Sequence, residues 1–142
     1  MSLQFSVGNV YLVQSMKEFS EKEQLSSDDA FYLNYPFNGA VKVVPFYDNL
    51  ARKEKNRIVK SIQDLYGFKT RVDDVFGKLL VTLFYNLELH DLIFVGLVGF
   101  GHNSIETLKE LLKKAVARED HKIVIMTEIS SNFSKEVSVT KL

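Results

Sequence analysis

The feature that most constrains the fold is an apolar region from residue 79 to residue 100, LLVTLFYNLELHDLIFVGLVGF. A run of this length is long enough to cross a bilayer, but Glu88, His90 and Asp91 interrupt its middle, where a charge is costly in lipid. The sequence therefore predicts that this region is buried inside a folded domain rather than in a membrane.

We interpret the region as two adjacent buried strands, 78–86 and 91–100, because both are apolar nearly throughout. A helix through 72–86 is the alternative, which periodicity alone does not exclude. Other runs rich in β-branched and aromatic residues predict further strands at 5–13, 30–35, 40–47, 122–130 and 136–142.

Helical periodicity predicts a first helix at about 49–66, with Asp48 or Asn49 as the N-cap and Gly67 as the stop. Its apolar positions recur at spacings of seven, four and three: Ala51, Ile58, Ile62 and Leu65.

A second helix is predicted at 104–118, with Ser104 as the N-cap and Glu106 in the first turn, where the helix dipole favours a carboxylate. One apolar face is formed by Ile105, Leu108, Leu112 and Ala115.

This order of elements predicts one α+β domain over residues 1–142, with a mixed, largely antiparallel sheet and two main helices packed on one face. The second and third predicted strands would form a hairpin around PFNG at 36–39, and Pro45 would mark an edge or a bulge. The last two predicted strands would form a closing hairpin, whose exposed edge suggests a homodimer.

The composition argues against several classes of function for this chain. The chain has 18 basic and 18 acidic residues, so no overall field draws it to nucleic acid or to an anionic membrane. It has no cysteine, which excludes disulfides, thiolate metal sites and cysteine nucleophiles. The N-terminal residues lack the pattern of a secretory signal, and the expected location is cytoplasmic.

The segment 96–104, GLVGFGHNS, is the strongest candidate for a binding site. It joins a predicted strand to a predicted helix, and backbone N–H groups at such a junction can bind a phosphate. The candidate cofactor-binding residues are Gly99, Gly101, His102, Asn103 and Ser104. The alternative is that the glycines supply only backbone freedom and that Ser104 serves only as a cap.

The tripeptide Gly99-Phe100-Gly101, followed by a helix and a strand, resembles the cofactor loop of the GCN5-related N-acetyltransferases, (Gln/Arg)-x-x-G-x-(Gly/Ala). Gly96 stands where that family has Gln or Arg. The resemblance covers about 35 residues. It implies a coenzyme A pyrophosphate held by backbone N–H groups near Gly99, Gly101 and His102.

A cluster of charged residues is a further candidate binding site. The run RKEKNR at 52–57, together with Lys60, places five positive charges in the N-terminal half of the first helix, where the dipole disfavours them. An acidic or phosphate-rich partner would compensate this placement, and so would the neighbouring carboxylates Glu54 and Asp64.

The pair Asp73 and Asp74, with Arg71, is interpreted as a surface turn, with a divalent-ion site as the alternative. No histidine pair has zinc-protease spacing, and we predict no metal site. Six aromatic residues crowd the segment from 31 to 47, where core packing is expected and some rings are left for a partner: Phe31, Tyr32, Tyr35, Phe37, Phe46 and Tyr47.

Two functions remain open. The first is a non-catalytic domain that binds a protein partner or a second copy of itself through an aromatic or edge-strand surface. The second is an acyltransferase-like enzyme that binds a phosphate-bearing cofactor of the coenzyme A class at the glycine junction, with His102 or Glu128 as general base and Tyr85 as acid.

Overall fold

A computed structural model describes residues 6–14, 30–34, 40–119, 121–127 and 138–142. In these ranges the strands are β1 (Asn9–Gln14), β2 (Ala30–Leu33), β3 (Leu92–Gly96), β4 (Ile123–Thr127) and β5 (Ser138–Lys141). The helices are α1 (Val43–Asn49), α2 (Arg52–Tyr66), α3 (Val75–Leu87) and α4 (His102–Arg118). The predicted α+β class is confirmed.

The strands form one mixed sheet in the order β2-β3-β4-β1-β5. Three neighbouring pairs are parallel, and only β1 and β5 are antiparallel. The prediction of a largely antiparallel sheet is therefore wrong. Helices connect β2 to β3 and β3 to β4. Each such connection carries the chain back to the end of the sheet at which the previous strand began, so the next strand runs parallel to it.

The four helices share one apolar core with one face of the sheet. This core contains Val10 and Leu12 of β1 and Ile93 and Val95 of β3, together with buried residues of every described helix. From β2 to β3 and from β3 to β4, the chain moves one strand position across the sheet in the same direction. Right-handed crossovers therefore place the connecting helices on the same face of the sheet. The helices lie on one face as predicted, but the described residues contain four helices where two main ones were expected.

A smaller cluster lies on the opposite face of the sheet. Its buried residues all belong to strands: Tyr11, Val13, Phe94 and Ile125. The polar segment at 17–29 lies outside the described residues.

The segment predicted as a strand at 78–86 is part of helix α3, so the helical alternative was correct. Nearly every side chain from Leu79 to Leu87 is buried, because α3 packs between α1, α2 and the sheet. A helix enclosed on all sides needs no polar face, and its sequence then loses the period that distinguishes a helix from a strand.

The segment predicted as a strand at 40–47 forms α1, and the hairpin with 30–35 is absent from the described residues. Val41 makes a single parallel bridge to Leu33 before the helix begins. Pro45 lies in the first turn of α1, where its missing N–H is not needed. The predicted PFNG turn lies outside the described residues.

Both long amphipathic helices are confirmed, with different starts. Helix α2 begins after Ala51, because Asp48 and Asn49 belong to α1, and it ends at Gly67, which has φ 69° in the left-handed region. Helix α4 begins one turn earlier than predicted: Gly101 is its N-cap, and Ser104 lies inside the first turn.

The predicted closing hairpin is also wrong, because β1 lies between β4 and β5 and pairs with both. Strand β5 instead forms an edge of the sheet. None of the described helices combines the length and the apolar character that crossing a membrane requires.

Candidate binding sites

The glycine junction lies at the carboxyl end of β3, a central strand of the parallel part of the sheet. The Leu97 N–H donates to the Thr127 carbonyl oxygen at 2.7 Å, and the Phe100 N–H donates to the Leu97 carbonyl oxygen at 3.1 Å. The second bond closes a tight turn, and Gly99 in it has φ 96°, a conformation that glycine adopts without strain.

The junction exposes its backbone to solvent. Gly99, Gly101, His102 and Asn103 are exposed, and Ser104 is half-buried. A Cβ placed on Gly99 or Gly101 would have no heavy atom within 4 Å, so a ligand could reach the main chain there. As N-cap, Gly101 offers no side-chain acceptor to the first N–H groups of α4. The carboxyl ends of parallel strands are where α/β sheets usually bind ligands.

Of the proposed catalytic side chains that the structure describes, His102 lies at this junction and Tyr85 does not. His102 Nε2 lies 3.9 Å from Glu106 Oε1, one turn along its own helix. Phe100 packs against Phe76 near the start of α3, but Tyr85 lies nine residues further along, about 14 Å away at 1.5 Å per residue. Glu128 lies outside the described residues.

The aromatic segment contributes mainly to packing. Phe31 is buried and contacts Phe46 and His90, with ring centroids 6.1 and 5.2 Å away. Phe46 also contacts Tyr85, at 6.1 Å. Tyr32 stacks on Phe94 on the other face of the sheet, at 4.6 Å. Tyr35 and Phe37 lie outside the described residues.

One edge of this aromatic cluster opens to solvent as a groove beside α1. Its volume is about 380 Å³, and its lining is mainly apolar: Val41, Lys42, Pro45, Phe46, Asn49 and Leu50. We call it the α1 groove. The volume is within the range of small-molecule sites and is sufficient for a large side chain of a partner. The sequence indicates that aromatic residues cluster here. It does not predict the groove, because residues 40–47 are interpreted as a strand whereas the groove is lined by helix α1.

Neighbouring carboxylates pair with two of the five basic residues of α2, Arg57 and Lys60. Arg57 forms salt bridges with Glu54 at 2.6 Å and Glu88 at 2.8 Å, and its hydrogen bonds to Glu88 and Glu54 raise the pKa of its guanidinium. Lys60 lies 3.8 Å from Asp64. The predicted compensation by Glu54 and Asp64 is thus present, and Glu88, the C-cap of α3, adds to it.

Two further basic groups meet an aromatic ring. Lys55 Nζ lies 4.5 Å and Lys78 Nζ 5.6 Å from the centre of the buried Tyr47 ring, close enough for cation–π attraction. Lys78 also reaches Asp48 at 4.0 Å. Burial, and to a smaller extent the negative charge of Asp48, raises the pKa of Tyr47.

Asp74 has a structural role. Its Oδ1 accepts a hydrogen bond from the Gly77 N–H at 2.8 Å, which caps the N-terminus of α3. Asp73 instead pairs with Arg71 at 3.2 Å on the surface. Within the described ranges, no group of three His, Asp or Glu side chains is arranged to hold a metal ion.

Comparison with protein-family models, curated proteins and solved structures finds no match to this chain.

Proposed function

We propose that this chain is a cytoplasmic protein-binding domain and that the α1 groove is its contact surface. The observation that carries the proposal is the groove itself: a mainly apolar recess of about 380 Å³, open to solvent, at the side of the sheet where β2 is the edge strand. Exposed apolar recesses with a polar rim are typical of sites that receive a side chain of a partner.

Hydrogen bonds within the chain hold the walls of the groove in place. The Val41 N–H donates to the Tyr32 carbonyl oxygen at 2.8 Å, and the Asn34 N–H donates to the Val41 carbonyl oxygen at 2.7 Å. On the other wall, Asn49 Nδ2 donates to the Pro45 carbonyl oxygen at 2.9 Å. A recess that is already ordered loses little conformational entropy on binding, which favours affinity.

The test is a selection of peptides from a random displayed library on the immobilised full chain. Peptides that bind the wild type are then measured against Pro45→Trp, which places a large ring at the groove, and against Gln63→Trp on the exposed face of α2. We expect binding to be lost only in Pro45→Trp. Equal binding to both variants, or no selected peptide, would overturn the proposal.

Self-association is the second form of the same proposal. Strand β5 is the outermost strand on its side of the sheet, and no described strand pairs with its outer edge. A second copy could add there by main-chain hydrogen bonds. Light scattering over a range of concentrations tests this, and a monomer at the highest concentration would count against it.

A second candidate function is supported by the exposed backbone at Gly99 and Gly101. There an acyltransferase-like enzyme would bind the pyrophosphate of a coenzyme A-type cofactor. A ligand at 100 times its Kd adds about 2.7 kcal/mol to stability, which raises the unfolding midpoint by several degrees.

We would measure this midpoint with acetyl-CoA, ATP, NAD and GTP in turn. The matched variant is Gly101→Val, whose backbone conformation, φ −78° and ψ 168°, suits valine. A rise in the wild type that is absent in Gly101→Val supports the site. No rise with any of the four ligands argues against it.

A further inference from the structure

The rim of the α1 groove carries positive charge that the described residues do not balance. Lys42 lines the groove, and Leu50, another lining residue, is followed two positions later by Arg52 and then by Lys53. All three basic side chains are exposed, and none forms an ion pair with a described residue. Since Leu50 and Arg52 are two residues apart, their α-carbons are within about 8 Å.

The acidic groups nearest in sequence are already engaged. Asp48 is paired with Lys78, and Glu54 is paired with Arg57, which also binds Glu88. The other lysine in the first two turns of α2, Lys55, lies over the Tyr47 ring. The charges that remain at the groove rim are therefore positive.

The start of α2 adds to this potential. Its N-cap is Ala51, which has no side-chain acceptor, so the partial positive charge of the helix N-terminus is not balanced by a cap. Basic residues are unfavourable in the first turn of a helix, and Arg52 and Lys53 occupy that turn. The acidic residue of the same turn, Glu54, is paired with Arg57. A carboxylate bound there would stabilise both the side chains and the helix end.

We infer that the partner segment bound by the α1 groove is acidic as well as apolar: an apolar side chain enters the groove while adjacent carboxylates of the same segment contact Lys42, Arg52 and Lys53. This inference rests on the proposed function and adds the chemistry of the partner. Charge complementarity of this kind selects among partners and accelerates their encounter.

The test uses the peptides selected on the wild-type chain. Each is resynthesised in its selected form and in a neutral form with every Asp and Glu replaced by Asn and Gln. Affinities are measured for the wild type, for the double variant Arg52→Glu/Lys53→Glu, and for Lys113→Glu/Lys114→Glu. The last is a matched control, because it reverses two adjacent exposed charges on α4.

We expect the selected peptides to contain Asp or Glu next to a large apolar residue. Their affinity should fall by roughly tenfold in Arg52→Glu/Lys53→Glu and in the neutral peptides, and it should weaken as salt is added. The control variant should bind as the wild type does. Glutamate is favoured in the first turn of a helix, so the double variant should fold.

Three outcomes separate the two proposals. Peptides without acidic residues, or acidic peptides that bind both double variants equally, overturn the inference. If such peptides still lose affinity in Pro45→Trp, the groove remains the binding surface, and only the contact of Lys42, Arg52 and Lys53 with partner carboxylates is ruled out. If no peptide binds in a way that depends on Pro45, both proposals fail together.

Discussion

Gly77 shows how one residue can be required for packing alone. It is buried in the first turn of α3, and a Cβ at this position would collide with the carbonyl group of Arg71. Asp74 caps this turn by accepting a hydrogen bond from the Gly77 N–H. The loop before α3 can therefore lie close to the helix only when residue 77 is glycine.

We predict that Gly77→Ala lowers the free energy of unfolding by about 1–3 kcal/mol, because backbone must move to relieve the collision. Gly101→Ala is the matched control: its Cβ meets nothing within 4 Å, and we expect a loss of less than about 1 kcal/mol from the poorer N-cap. Urea denaturation measures both. Equal stability of the two variants would show that the loop accommodates a Cβ at residue 77.

Tyr66 gives a prediction on pH. Burial raises its pKa above the ordinary value of 10.0, the positive charge of Arg118 opposes this, and Glu119 adds to it. The unfolded chain therefore releases this proton at a lower pH than the folded protein. The contribution to stability is complete below pH 10 and is lost as pH rises above it.

We expect the free energy of unfolding to fall above pH 10, and to fall less steeply in Tyr66→Phe. Tyr47, whose pKa is also raised, keeps part of the dependence in that variant. Urea denaturation on both sides of pH 10 checks this. The same slope in the wild type and the variant would contradict it.

At the scale of the element, α2 shows why the amphipathic helices could be predicted. Its buried residues, Ile58 and Ile62, are four positions apart on one face, and Gly67 ends the helix in the left-handed conformation. Both signals are local in the sequence. In α3 the burial of almost all positions removes the periodicity, and in α1 the aromatic and β-branched residues suggested a strand.

We predict that Ile62→Ala destabilises the fold by about 2–5 kcal/mol, since it removes fully buried methyl groups and leaves a cavity. Leu65→Ala, on the same helix, is the control: Leu65 is 46% exposed, and we expect less than about 1 kcal/mol. Thermal and urea unfolding compare the two. A similar loss in both variants would mean that α2 does not pack as described.

At the scale of the whole molecule, one core joins all four described helices to the sheet. Such a core should unfold as one unit, so we predict a single cooperative transition. The chain has six tyrosines and no tryptophan, so tyrosine fluorescence reports on packing while far-UV circular dichroism reports on helices. Non-coincident midpoints would indicate that part of the molecule unfolds separately.

The local sequence by itself determined the α+β class, the two amphipathic helices, the approximate positions of the five described strands, and the position of the glycine junction between a strand and a helix. These features depend on residues within a few positions of one another, through side-chain periodicity, glycine conformation and β-branched runs.

Only the tertiary structure decided the parallel pairing, the place of β1 between β4 and β5, and the α1 groove. It also decided which charges are balanced: Glu88, the C-cap of α3, reaches Arg57 of α2 from 31 positions away, and Arg52 and Lys53 are left without such a partner among the described residues. Pairing and neutralisation depend on contacts between distant segments, which no local pattern specifies.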